Sequence, residues 1–178
     1  MKKTSALLCV ALLSSAAHAA VAAGENLLIN GTFEAEQVDF PEFWTPSSSK
    51  AVSFQRTGGP EGRKAAVVLR GGAAAPEEAS ARQQGLTLVA GGTYRLSVFV
   101  RTKGFKSRNA GLIVHNSGWI SDVGLKTFPA DSEWTFLEKT FKLFPSKGSE
   151  YGVALFAVDL RGEIAFADVR LEAVSEDA

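Results

Sequence analysis

Hydrophobic and polar residues alternate in short runs along most of the chain. In 93–101, Tyr94, Leu96, Val98 and Val100 fall on one side and Arg95, Ser97, Phe99 and Arg101 on the other. That is the period-two pattern of a strand with one buried face. Similar runs at 27–34, 50–56, 65–70, 81–89, 110–117, 134–144, 151–160 and 163–174 are bounded by Gly, Pro, Ser or Asn clusters, so the chain predicts about nine strands. The best helical signal is 76–82, where Pro76 precedes Glu77 and Glu78; it allows a single turn at most. The sum predicts an all-β fold, a two-sheet antiparallel β-sandwich of jelly-roll type, because two sheets packed face to face bury one side of each strand. In 163–174 the apolar Phe166 and Val169 are three apart, so alternation slips by one residue and predicts a β-bulge at Asp168.

The chain has 178 residues, of which 1–19 read as a secretory signal peptide. Lys2 and Lys3 form its basic start, 6–13 its apolar run and Ala17-His18-Ala19 its cleavage pattern. The run is too short to span a bilayer, and no later stretch approaches spanning length. A short lead-in at 20–25, one domain over 26–174 and a tail at 175–178 follow, enough chain to bury a core without staples. The expected location is secreted or periplasmic. Without Lys2 and Lys3, 17 basic residues face 19 acidic ones, a balance that argues against a nucleic-acid partner. Cys9 and His18 leave with the leader, so His115 is the single histidine and no cysteine remains. Disulfides, thiol catalysis and multi-histidine metal sites are thereby excluded. The glycine-rich 70–76 reads as a surface loop, since no Lys-Ser/Thr follows it.

The opening Asn26-Leu-Leu-Ile-Asn-Gly-Thr-Phe-Glu34, then Phe43-Trp44, resembles the start of secreted carbohydrate-binding modules of families 4, 9, 16 and 22, which belong to the galactose-binding-like jelly rolls. The stretch 88–101 is similar to that family's central strand, Glu133-Trp134 through Thr140-Phe141 to its late strand, and Phe166-Ala-Asp-Val-Arg-Leu-Glu172 to its closing strand. The resemblance implies non-catalytic recognition of a poly- or oligosaccharide, with a partner protein or enzyme also in view because such modules usually accompany a catalytic domain. It assigns Trp44 and Trp134 to the core. It also implies a structural calcium on Glu34 and Asp168, although the family's paired Asp before Val is here Ala167-Asp168. Calcium takes six to eight oxygens, and the residues alone equally allow two solvated sheet-edge charges.

Saccharide binding needs apolar faces for the C–H side of a pyranose and polar groups for its hydroxyls. A half-buried indole removing roughly 100 Å² from water contributes about 2–3 kcal/mol. Micromolar binding needs about 8 kcal/mol, so a site combines two or three aromatics with polar neighbours. In 112–122, His115, Asn116, Trp119 and Asp122 surround a glycine turn; Trp119 is expected to stack, with burial over the core as the alternative. Phe99 and Arg101 face away from the buried stripe and are expected on the open surface of a sheet, with Gln84 adding an amide to that surface. Phe156 is flanked by apolar residues on both sides, so no face is assigned, and burial of Phe99 and Phe156 stays open. No Gly-x-Ser-x-Gly elbow is present for a Ser-His-Asp triad, and no catalytic residue is assigned. His115, Arg101 and Gln84 imitate the set of a jelly-roll polysaccharide lyase, but Tyr94 and Tyr151 point toward apolar neighbours. A protein-interaction or cell-surface jelly roll without sugar is the remaining reading; it requires an exposed apolar patch larger than a saccharide groove.

Overall fold

The structure, a computed structural model, describes residues 24–174 except 38, 48–49, 61–62, 64, 73–76, 120–122 and 144–149. The leader, most of the lead-in, the tail, Pro76 and Asp122 lie outside the described residues. The strands are β1 (Glu36–Gln37), β2 (Phe40–Pro41), β3 (Thr45–Pro46), β4 (Val52–Gln55), β5 (Ala66–Gly71), β6 (Glu77–Thr87), β7 (Thr93–Lys106), β8 (Asn109–Asn116), β9 (Val123–Leu125), β10 (Ser132–Lys142) and β11 (Glu150–Ala173). All pairings are antiparallel, and no helix occurs among the described residues. The first layer runs β10-β7-β11-β5-β4 and the second β3-β6-β11-β8-β9, with β1-β2 as a separate pair. The fold is the expected all-β, two-sheet jelly-roll sandwich.

β11 serves both layers, pairing through its first half with β6 and β8 and through its second with β5 and β7. Its core-facing residues are Tyr151, Val153, Leu155 and Ala157, then Leu160, Ile164 and Phe166, then Val169 and Leu171. Each change of parity falls at a register shift, one between Ala157 and Leu160 and one between Ala167 and Arg170. Asp159 (φ 55°) and Asp168 (φ 48°) take the left-handed conformation there, which Asp tolerates better than most residues. The bulge expected at Asp168 is present. Between them, Gly162 has φ 74°, and a side chain on it would run into the Gly104 carbonyl.

Leu96, Val98, Val67 and Leu69 of the first layer pack over Leu112, Val114, Ala79 and Ala81 of the second. Trp44 closes one end as expected, 4% exposed, edge-on to Phe33 at 5.1 Å and donating its indole N–H to the Asn30 carbonyl at 3.1 Å. Tyr94 and Tyr151 are buried.

Four expectations are corrected. Residues 27–34 form a bend and turns rather than a strand, and one isolated bridge, Asn26 to Glu172, precedes them. The Asn26 side chain accepts from the Leu28 and Leu171 amides and that of Asn30 from the Ala35 amide, so local side-chain bonds displace a ladder. Glu77–Arg82 is extended within β6, not a helical turn, and the runs 151–160 and 163–174 are one strand. Trp134 is half-buried on the outer face of the first layer instead of in the core. In β10, Leu137 and Phe141 lie opposite Val98 and Tyr94, which leaves Trp134 the outward parity. Its indole N–H donates to the Gly58 carbonyl at 3.0 Å, and the Arg101 guanidinium lies 5.0 Å from its ring centroid.

Candidate functional site

The outer face of the second layer follows from the register. Phe156 lies between Ser80 and Gly111, Ala154 between Arg82 and Ile113, and Gly152 beside His115. A groove of about 390 Å³ runs beside Phe156, lined also by Ser47, Glu78, Ser80, Ile113, Trp119 and Lys126. A smaller pocket of about 120 Å³ adjoins His115, with Gln84, Asn116, Glu150 and Gly152 among its walls.

Trp119 is the most exposed aromatic on this face, 47% open to solvent, and the structure explains why it stays there. The turn after β8 is tied by the Asn116 side-chain oxygen, which accepts from the Gly118 amide at 2.9 Å, and by the Asn116 carbonyl, which accepts from the Trp119 amide at 3.0 Å. Trp119 itself sits at φ 59°, a conformation costly for a bulky side chain unless its surroundings impose it. The imposing contact is His115, whose ring lies parallel to the indole, centroids 4.2 Å apart and planes 3° apart. The imidazole in turn occupies the space beside Gly152, where an added Cβ would meet its Nε2 at 2.8 Å. The Arg82 guanidinium lies 5.4 Å from the indole ring centroid.

His115 Nδ1 is 2.9 Å from the Asn116 carbonyl. A carbonyl only accepts, so the proton is on Nδ1 and Nε2 is a bare acceptor, buried with no partner among the described residues. Burial, opposed by the Asn116 hydrogen bond and aided by the Arg82 charge, lowers its pKa below the ordinary value. The unfolded chain therefore binds the proton more readily. Stability linked to His115 is fully present above about pH 6.5 and is lost as pH falls toward the folded value, at no more than about 1.4 kcal/mol per pH unit. Urea unfolding between pH 7.5 and 5 is expected to show this slope in the wild type and a shallower one in His115→Gln; equal slopes would contradict the assignment.

Of the residues expected to bind ligand, Gln84, His115, Asn116, Trp119 and Phe156 lie together on this face. Asn116 acts chiefly as the turn former. Phe99 and Arg101 do not join them, because β7 belongs to the other layer. There, Phe99 packs on Phe136 at 5.1 Å under the Arg63 guanidinium, and Arg101 pairs with Glu163 at 3.3 Å. The lyase-like set of His115, Arg101 and Gln84 is thus split between opposite faces. Arg82, Lys126, Ile113 and Gly152 were not singled out from sequence. Once 77–87 is read as a strand, alternation places Ser80, Arg82 and Gln84 on one side, which is the signal that finds Arg82.

Glu34 and Asp168 do not fit a calcium donor set. The Asp168 carboxylate, 8% exposed, accepts from Arg63 Nε at 2.8 Å and Nη2 at 2.7 Å, so a guanidinium already supplies its counter-charge. Glu34 is exposed, and no group of three His, Cys, Asp or Glu suited to a metal occurs among the described residues. A chelator is expected to leave the melting temperature unchanged. Arg63→Ala is expected to cost about 1–2 kcal/mol, less than a fully buried pair because Arg63 is partly exposed. Loss of thermal stability on adding the chelator would reverse this assignment.

The antiparallel sandwich carries grooves on both outer faces, those of the first layer being about 660 Å³ beside Arg101 and Glu163 and about 380 Å³ beside Phe99 and Phe136; the second layer's groove is the one walled by the exposed indole. Residues 25–157 match the carbohydrate binding domain family CBM_4_9, and the chain belongs to that family. Similar solved structures include a family 16 carbohydrate-binding module, at 22% identity over 82% of this chain and 99% of that one with a TM-score of 0.60. A family 61 module in complex with β-1,4-galactotriose is 19% identical over 84% and 99% with a TM-score of 0.59. The family 22 xylan-binding domain of Paenibacillus barcinonensis Xyn10C is 16% identical over 88% and 99% with a TM-score of 0.57. At these identities the shared property is the fold. The chain covers only 21% of the enzymatically active domain of bacteriophage CBA120 tailspike protein 4 and 26% of an arabinose-bound MgGH51 α-L-arabinofuranosidase. No curated protein matches the sequence.

Proposed function

We propose that the outer face of the second layer binds a saccharide chain without catalysis, a pyranose packing against the exposed part of the Trp119 indole. The observation that carries this reading is the indole held half open on the buried His115 ring, at the wall of a groove that Ile113, Ser80 and Phe156 also line. Exposing that much apolar surface opposes stability in the free domain, and a ligand recovers it. Phe156 and Ile113 extend the apolar wall, while Gln84, Ser80 and Ser47 offer groups for hydroxyls. The β-1,4-galactotriose bound by one similar module and the xylan bound by another support a poly- or oligosaccharide over a small metabolite. The separation of Arg101 from His115 and Gln84 supports binding over elimination chemistry. The basic, apolar and small-residue succession in 1–19 supports export to a secreted or periplasmic location.

The test is titration of a panel of soluble polysaccharides, by calorimetry, against the wild type and Trp119→Ala. Equal binding by both would remove this face from the site.

A further inference from the structure

Nine arginines have described side chains, and seven of them, Arg56, Arg63, Arg70, Arg95, Arg101, Arg108 and Arg170, lie within 4 Å of a carboxylate. Arg161 is exposed on its strand. Arg82 is different. It is half-buried on the outer face of the second layer, between Thr45 and Ala154 and beside the groove, has no carboxylate partner among the described residues, and sets its guanidinium over the Trp119 ring. Its cross-strand neighbour Ala154 offers a methyl group. Lys126 lines the groove, as does Glu78. Glu78 is four residues from Arg82 along β6, and Glu150 four from Ala154 along β11, each about 13 Å away by strand rise. A guanidinium held away from bulk water without a counter-charge is a ready site for a planar, bidentate anion.

We infer that the groove takes an anionic saccharide, the carboxylate of a uronic acid or a sulfate ester seating on the Arg82 guanidinium while the sugar ring packs on Trp119. This rests on the saccharide reading of the same face and names its ligand class. The spacing suits it: an acid group projecting from a pyranose that packs on the indole falls within reach of a guanidinium 5.4 Å from the ring centroid. His115, buried beneath the indole, has its Nδ1 proton committed to Asn116 and leaves Arg82 as the anion's partner.

The experiment compares polygalacturonate, a sulfated galactan and a neutral galactan by calorimetry at 50 and 500 mM NaCl. The wild type is expected to favour an anionic chain over the neutral one by about tenfold or more at low salt, the preference shrinking at high salt. Which anionic chain binds more tightly distinguishes carboxylate from sulfate. Arg82→Gln is expected to erase the preference, and Arg82→Lys to restore part of it; melting temperatures check that both variants fold. An unchanged preference in Arg82→Gln, or tighter binding of the neutral chain by the wild type, overturns the proposal while leaving the saccharide reading intact. Absence of binding to every glycan overturns both.

Discussion

Trp119→Ala is expected to weaken polysaccharide binding by about 30- to 150-fold while shifting the melting temperature little. The reasoning is areal. The indole is 47% exposed, and covering roughly 100 Å² of it with a sugar ring contributes about 2–3 kcal/mol, which converts to that range of Kd. The fold loses little, because the indole is half open and rests only on the outer face of the sheet, against the His115 ring and the Arg82 guanidinium rather than in the core. Trp134→Ala is the control: that residue lies on the opposite layer beside Arg101, and its removal is expected to leave Kd unchanged. Calorimetry with one tight-binding polysaccharide decides the matter, and a large effect from Trp134 with none from Trp119 would transfer the site to the other face.

Gly152→Val is expected to damage both stability and binding. Even a Cβ at this position would meet His115 Nε2 at 2.8 Å and the Gln83 carbonyl at 2.9 Å. The carbonyl belongs to a paired strand and has little freedom, so the imidazole must move. Overpacking of this kind costs about 1–3 kcal/mol. Because the imidazole supports Trp119, the indole loses its seat, and binding is expected to fall by about tenfold or more as roughly 1.4 kcal/mol of stacking is lost. Thermal unfolding and calorimetry on the same preparation separate the two effects. Lower stability with unaltered affinity would mean that the histidine does not support the binding platform.

The relation between those two residues shows where sequence reading stops. The turn of 115–119 was legible, since a tryptophan beside His115, Asn116 and Gly118 breaks the apolar run of β8. That Gly152 makes room for the imidazole was not, because the two meet only through the pairing of β11 with β8. Phe156 had no readable face for a related reason: β11 forms both the core and the groove floor there, so both sides are apolar. Trp134 misled because an aromatic at a packing-like position was assigned to the core, whereas the register of β10 with β7 turns it outward.

The amino-acid sequence by itself determined the layered all-β architecture, the buried stripe Tyr94, Leu96, Val98 and Val100, and the bulge at Asp168. Those features are written in local alternation, which one-sided burial imposes residue by residue. Only the tertiary structure decided that Arg82, Gly152, His115 and Trp119 share one outer face while Phe99 and Arg101 lie on the other. Strand pairing joins segments far apart in the chain, and the choice of partner leaves no periodic trace in either segment alone.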